Sequence, residues 1–449
     1  VRRLALAAER LSLREVCDVR PVGLIRSWVP LPGWTVIRGY DRLMAAVGGL
    51  PGAVVDTGNP DRRVPDANVV AFPYDFRKGV AEAAELLDAD VAARLRLLGG
   101  EHQPGRVVVV AHSLGGLVAR YWLGPLGGWR VCRALITLGT PHRGAPKALA
   151  WMVDGVRAGG RVWQGTTELI REWPSTAELL PRYPAIWDEL AQVALYPGQL
   201  PISWLRPLAR RAFGMHEDIE RGCDQIPQSG PELVPRLGWS HATLDAAFWD
   251  GARLRVTKKP PSWLEAPGWE HDFGDGTVPA VSALPIEAGN RAVSSSGMRV
   301  HERHSGLVTA SRMLEEITAR LEDYEGRPVP APGRLAYRGA EERGAAIGLD
   351  IDNAYLPGEP IGLKVSLHGA SGDVRDVAVG VALRPVDGPA AAGVGARRRA
   401  RLAWDAAELC FSGELIADWP GVYDVVVAAE AVPGAGDLAV TESVAVIEA

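Results

Sequence analysis

Long apolar runs are missing from this chain of 449 residues. No stretch comes near the roughly eighteen consecutive apolar residues that a membrane-spanning helix needs. Cysteine is scarce: Cys17, Cys132, Cys223 and Cys410 stand far apart and form no CxxC pair. That argues for a reduced, cytoplasmic compartment with no structural disulfide, with at most a peripheral contact to a membrane. No cluster of His, Cys and Asp has metal-ligand spacing, so neither a metal nor an organic cofactor is implied. A basic stripe is also lacking. The formal net charge is −5, which speaks against a nucleic-acid partner. The one dense basic run, Arg397-Arg398-Arg399 with Arg401, sits beside Gly/Ala-rich sequence and is expected to be an exposed loop. The chain begins at Val1 inside a helical pattern (Leu4, Leu6, Ala7, Leu11), and Glu9 interrupts any signal-peptide core.

What is present is ordinary in bulk. A hydrophobic content of 47% and a charged content of 23% suit a globular protein, and the length suits one large domain plus a smaller one. The information is concentrated in Arg106-Val107-Val108-Val109-Val110-Ala111-His112-Ser113-Leu114-Gly115-Gly116. Four valines after the Pro104-Gly105 loop read as a buried parallel strand. Ser113 follows at once, and a helical pattern (Leu117, Val118, Tyr121, Trp122) begins behind it. A serine on a sharp strand-to-helix turn is a nucleophile elbow. The turn exposes the hydroxyl and aims a helix N-terminus at the reacting carbonyl, where the backbone amide of Leu114 becomes one oxyanion donor. Strand and helix nearly touch there, so small residues are expected two before and two after the serine, at Ala111 and Gly115.

Around this elbow the pattern alternates. Gly39–Val47 reads as a helix, Asn68–Ala71 as a strand, residues 80–98 as a helix and Val131–Leu138 as a buried strand. That order predicts an α/β fold with a doubly wound parallel sheet. Regularity drops from about 150 to 265, where eight of the 15 tryptophans lie with Trp269 just past its end, and a cap over the site is expected there. The hydrolase pattern returns over 270–322. Pro328–Gly333 reads as a linker. Beyond it Ile361–Leu367, Val374–Leu383, Leu409–Ile416, Tyr423–Ala428 and Leu438–Val446 alternate between turns, as in a small antiparallel, immunoglobulin-like β-sandwich. The expected domains are thus 1–327 and 334–449, the second dispensable for chemistry on soluble esters.

A serine needs a base, and the base needs an orienting carboxylate, in chain order Ser, Asp/Glu, His. Phe273-Gly274-Asp275-Gly276-Thr277-Val278-Pro279 exposes Asp275 between two glycines, with Asp272 as its rival. Of the nine histidines, His304 follows a short strand (Met298–Val300) and precedes the last helix, where the base must stand. His301 is its rival, and His271 precedes the aspartate and breaks the order.

With these pieces assembled, the chain resembles the lecithin:cholesterol acyltransferase-like family of α/β-hydrolases. The resemblance rests on Phe72-Pro73-Tyr74-Asp75-Phe76-Arg77, the Ala-His-Ser-Leu-Gly-Gly elbow, Leu138-Gly139-Thr140-Pro141 with Gly144 and Pro146, and Gly274-Asp275-Gly276-Thr277-Val278-Pro279. Arg303-His304-Ser305-Gly306-Leu307 is similar to the family's histidine loop, and Leu179-Leu180-Pro181-Arg182-Tyr183-Pro184 to a cap segment. It spans roughly 18–322. It implies a capped hydrolase that cleaves or transfers acyl chains of phospholipids and other esters, with Ser113, Asp275 and His304 as its triad.

One departure is the absence of an N-terminal strand and Pro-Gly loop that would supply the second oxyanion amide. Pro32-Gly33-Trp34 lies too far along the pattern, and that donor is left unassigned. The expected activity is acyl transfer from a lipid or other ester through an acyl-enzyme on Ser113. The rival is a catalytically weak or silent hydrolase fold whose sandwich carries an interaction. Oligomeric state and the acyl acceptor are not legible.

Overall fold

The run of valines forms the strand that the sequence predicts, Val107–His112. It pairs in parallel with Cys132–Leu138, which pairs with Glu232–Gly238, which pairs with Arg299–Val300. The computed structural model from which this is read describes residues 11–14, 19–25, 39–100, 103–158, 161–227, 230–258, 274–288, 299–326, 345–386 and 398–447. Successive side chains of a strand point to opposite faces, and the core divides accordingly. Leu135 packs with Leu87, Leu117 and Trp122 from the helices Val80–Leu97 and Leu114–Leu123. Its neighbour Ile136 packs on the other face with Leu43, Met313 and Ile317, from Asp41–Gly48 and Ser311–Gly326. A parallel sheet covered by helices on both faces is the doubly wound α/β-hydrolase architecture that was expected.

Two expectations need correction. The strand Glu232–Gly238 lies in the middle of this sheet, although its residues fall inside the 150–265 stretch read as cap. Pro235 and Arg236 hid it, because proline cannot donate to a ladder and arginine reads as surface. Arg236 is in fact buried against Glu316 of the last helix, its Nε donating to the carboxylate at 2.8 Å. The elements outside this sheet are therefore split. Helices Pro146–Val153, Gln164–Glu172, Pro174–Glu178 and Leu205–Asp224 precede the buried strand. A small sheet in the order Leu254–Thr257, Ala246–Trp249, Ile186–Asp188, Val193–Leu195 draws on both sides of it.

The second correction concerns the arginine run. Arg398–Arg401 is an edge strand, not a loop, antiparallel to Gly380–Leu383. Arg399 and Arg401 are exposed while Ala400 packs on the core, so charge masked a period-two pattern.

That edge belongs to one of two sheets that face one another. One runs Ala346–Ile351, Pro360–His368, Cys410–Ile416, Ala403–Asp405, and the other Ala354–Tyr355, Gly436–Val446, Gly421–Val432, Ala378–Pro385, Arg398–Arg401. Pairing is antiparallel except for Ala354–Tyr355. Leu349, Ile361, Leu363, Val381, Phe411, Val425 and Val444 share one core between them. The linker read at 328–333 lies outside the described residues.

The elbow strand pairs, among the described residues, with Cys132–Leu138 alone, and its four valines are only half-buried. Val55–Asp56 does not take the place beside it; it forms a separate parallel pair with Val69–Val70. Of the helical pattern at the start of the chain, Leu11 falls within the described residues 11–14. There the Leu11 carbonyl accepts hydrogen bonds from Arg77 Nη1 at 3.3 Å and Trp173 Nε1 at 3.0 Å. Among the described residues no helix is long and apolar enough to cross a membrane. Cys132, Cys223 and Cys410 are buried free thiols.

Candidate active site

The strand ends at His112, the helix begins at Leu114, and Ser113 between them has φ 54° and ψ −129°. A non-glycine residue held there stores roughly 1–3 kcal/mol of backbone strain. Surroundings enforce it: Ser113 N donates to Leu138 O at 2.9 Å, tying the elbow to the next strand. The Leu114 amide belongs to the first turn of its helix, whose donors have no intrahelical partner, and is thus suited to an oxyanion.

The steric demand falls one residue later than expected. A Cβ added at Gly116 would overlap Thr140 Oγ1 and lie 2.7 Å from Thr140 Cβ, whereas at Gly115 the nearest atom is Tyr74 Oη at 3.6 Å. The Phe72–Arg77 motif explains that tyrosine's position. Arg77 grips Asp75 in a buried fork, Nε to Oδ1 at 2.9 Å and Nη2 to Oδ2 at 2.7 Å, while Phe72 and Tyr74 pack on the core beneath the elbow helix.

Ser113 Oγ donates to His304 Nε2 at 2.9 Å, and His304 Nδ1 donates to Asp275 Oδ2 at 2.6 Å. The three residues read from the sequence are therefore in hydrogen-bonded line. Asp275 is 1% exposed and His304 5%. The glycine-flanked turn holds the carboxylate, whose Oδ1 accepts from the amides of Thr277 at 2.9 Å and Val278 at 2.7 Å. Burial pushes this carboxyl's pKa up, but the charge and hydrogen bond of His304 and those two amides outweigh it, leaving it below the ordinary value. Asp275 is thus the anion that orients the imidazole.

Gly139 makes room for this pair. Its φ is 55°, and a Cβ there would stand 2.7 Å from Asp275 Oδ2 and 3.0 Å from His304 Nδ1. The histidine loop is fixed by its own backbone as well. His304 N donates to Asp275 O at 2.9 Å, and His304 O accepts from His112 Nε2 at 2.9 Å. His112 Nδ1 in turn accepts from Tyr40 Oη at 3.0 Å, and the His112 and His304 rings are 4.5 Å apart. Burial, then the charge of His304, pushes His112 down to about 3, so it serves as a neutral bridge. Burial pushes Tyr40 up to about 12 and keeps its proton.

The rivals stand elsewhere. His301 Nδ1 shares a 2.6 Å hydrogen bond with Ser240 Oγ, whereas the imidazole in line with Ser113 and Asp275 is that of His304. Asp272 and His271 lie outside the described residues, as does Pro32-Gly33-Trp34, so the second oxyanion donor stays unassigned. The sequence assigns no role to Gly139, His112 or Tyr40. The first two sit inside the motifs of the resemblance, and Tyr40 lies in the segment expected to be the helix Gly39–Val47 and stands at the N-cap of Asp41–Gly48.

The tryptophan-rich region is partly core. Trp173 packs with Leu11, Val156, Leu169 and Ile170, and Trp249 with Ile186 and Leu254. Trp204 is 37% exposed beneath the Arg171 guanidinium, and Trp151 lies under Lys147. Trp263 and Trp269 lie outside the described residues.

Residues 63–207 match the family model for lecithin:cholesterol acyltransferase. The resemblance carried by the motifs therefore holds over that stretch, and with it an esterase- or acyltransferase-type enzyme. No sequence among the curated proteins matches the chain. Among solved structures, the Tle4–Tli4 complex shares 13% identity over 58% of this chain and 68% of that one, with a TM-score of 0.40. Bacillus licheniformis lipase BlEst2, in its propeptide form, shares 12% identity over 82% of this chain and 84% of its own, with a TM-score of 0.30.

Proposed function

We propose that this protein is a serine acyl hydrolase or acyltransferase acting on lipid esters. The observation that carries the reading is the continuous hydrogen-bonded line from Ser113 Oγ through His304 to Asp275, at 2.9 and 2.6 Å. His304 takes the hydroxyl proton as Ser113 Oγ attacks the ester carbonyl, and a C–O bond forms. The oxyanion draws on the Leu114 amide and the helix N-terminus. Collapse of the tetrahedral adduct breaks the ester C–O bond, and His304 returns its proton to the leaving alcohol. Water or a second alcohol then attacks the acyl-enzyme by the same steps in reverse. Asp275 holds the imidazole in the tautomer that can accept at Nε2 and stabilises the imidazolium. Lipid as the acyl source is supported by the family match and the motifs, and a membrane surface would then be met peripherally.

The test is labelling with a fluorophosphonate probe, followed by turnover of p-nitrophenyl esters from acetyl to palmitoyl, below and above their aggregation thresholds. The reading expects labelling that Ser113→Ala abolishes, and specificity that rises with chain length, since each buried methylene contributes about 0.8 kcal/mol. Specificity peaking at acetyl would leave a small-ester hydrolase. An unlabelled, inactive protein would favour a silent fold whose sandwich carries the interaction.

A further inference from the structure

The catalytic histidine lies between two residues that both reach into the C-terminal sheets. Arg303, on its N-terminal side, forms a buried ion pair with Glu442. Ser305, on its C-terminal side, donates to the same carboxylate, Oγ to Oε1, at 3.4 Å. Glu442 belongs to the long strand Gly436–Val446, and Ser443 N fixes its Oε1 at 2.8 Å. Arg303 and Glu442 are 3% and 2% exposed. A second bridge comes from Leu349 in the strand Ala346–Ile351. Its carbonyl accepts from Arg303 Nη1 at 2.9 Å, and its amide donates to His241 Nδ1 at 3.2 Å. His241 exchanges backbone hydrogen bonds with Gly274, of 3.1 and 3.0 Å, next to Asp275. Burial, then the charge of Arg303, holds the His241 pKa well below its usual value, so its Nδ1 is available to accept. Arg303 also lies against Gly276, where a Cβ would meet Nη2 at 2.6 Å. One carboxylate of the sandwich thus holds the base loop on both sides of His304, and one peptide reaches the base loop through Arg303 and the acid loop through His241.

We propose that the sandwich is a working part of the catalytic centre, and that Glu442, acting through Arg303 and Ser305, is a positioning residue for His304. This rests on the reading of Ser113, Asp275 and His304 as an acyl-transfer triad, and it runs against the expectation that residues 334–449 are dispensable. The chemical reason is direct. Without Glu442, a buried guanidinium one residue from the base loses its counter-charge and must turn toward another acceptor. The loop that turns with it carries His304. Displacing a catalytic group by about 1 Å costs on the order of a hundredfold in rate.

The experiment uses the full chain with a soluble short-chain p-nitrophenyl ester. Wild type, Glu442→Ala, Glu442→Gln and Val379→Ala are compared at a temperature where each is folded by circular dichroism. Val379 lies in the same sandwich core, but on the strand Ala378–Pro385 opposite Ala429, one strand removed from the strand that carries Glu442, and serves as the control for lost stability. The proposal expects Glu442→Ala to lose ten- to a hundredfold in kcat with KM within about threefold. Glu442→Gln, which keeps an acceptor for both partners, should recover part of that loss, and Val379→Ala should stay near wild-type kcat. If Glu442→Ala does not fold, Glu442→Gln decides alone, with at least a fivefold loss in kcat expected. Wild-type kcat in Glu442→Gln, or an equal loss in Val379→Ala, overturns the proposal. Wild type without turnover or fluorophosphonate labelling instead overturns the triad reading, and this inference with it.

Discussion

The two halves of the candidate site are built in opposite ways. The proposed nucleophile, Ser113, is placed by its neighbours in sequence: six strand residues, the strained serine and a ten-residue helix form one continuous piece. The proposed acid and base, Asp275 and His304, sit on irregular loops and are placed from far along the chain. Gly139 clears space for them, His112 holds the His304 carbonyl, and Arg303 and Leu349 tie their loops to the sandwich. A local device is legible as a motif and tolerates change elsewhere. A device assembled from distant contacts leaves little trace in any one segment and is vulnerable at each contact.

The largest effects should come from the line itself. Ser113→Ala and His304→Ala are expected to lower kcat/KM for a p-nitrophenyl ester by about 10⁴-fold or more. Asp275→Asn should come close, because an amide in place of the carboxylate favours the wrong tautomer. Equal activity of Asp275→Asn and wild type would break the comparison on its acid side.

Next is Gly139→Ala. Its Cβ would crowd Asp275 Oδ2 and His304 Nδ1, and its φ of 55° suits glycine. A fall of about a hundredfold in kcat is expected, together with a stability loss of about 1–2 kcal/mol. Gly115→Ala, with its nearest atom at 3.6 Å, should be much milder. The pair of denaturation curves and rate constants tests whether the acid–base side is the more tightly constrained.

A pH measurement isolates His112. Its pKa in the folded protein is depressed to about 3, below the ordinary 6.5. Between these values the unfolded chain binds the extra proton, so this group's share of stability is present above 6.5 and is lost as pH falls toward 3. Replacing it by glutamine should flatten the fall of unfolding free energy across that window by about 1.4 kcal/mol per pH unit. Unchanged slopes in urea titrations would mean that His112 is charged in the folded protein. The smallest effect belongs to His301→Ala, which should keep kcat within about threefold of wild type, since the hydrogen bond of its Nδ1 is to Ser240 and the line from Ser113 to Asp275 runs through His304.

How much the sequence revealed follows the same division. The elbow, the order of its partners and five sandwich strands were legible, since each depends on short-range pattern or chain order. Glu232–Gly238 escaped because Pro235 and Arg236 break the look of a buried strand, although Glu316 compensates the arginine inside. Ala346–Ile351 and Arg398–Arg401 were missed for opposite reasons, one because it followed directly on the loop-like sequence after the linker, the other because charge obscured its alternation. Nothing near Glu442 announces that it faces the loop of His304: it is one glutamate in an apolar strand, and only the packing of strand on loop gives it meaning.

The central claim, that Ser113 carries the acyl group, is tested most directly by rapid acid quench of the enzyme with a p-nitrophenyl ester, followed by peptide mass analysis. The account predicts a mass increase of one acyl group on the peptide containing Ser113 in wild type and its absence in Ser113→Ala. Turnover of the ester with no adduct on that peptide, or with the acyl group on another side chain, would contradict it.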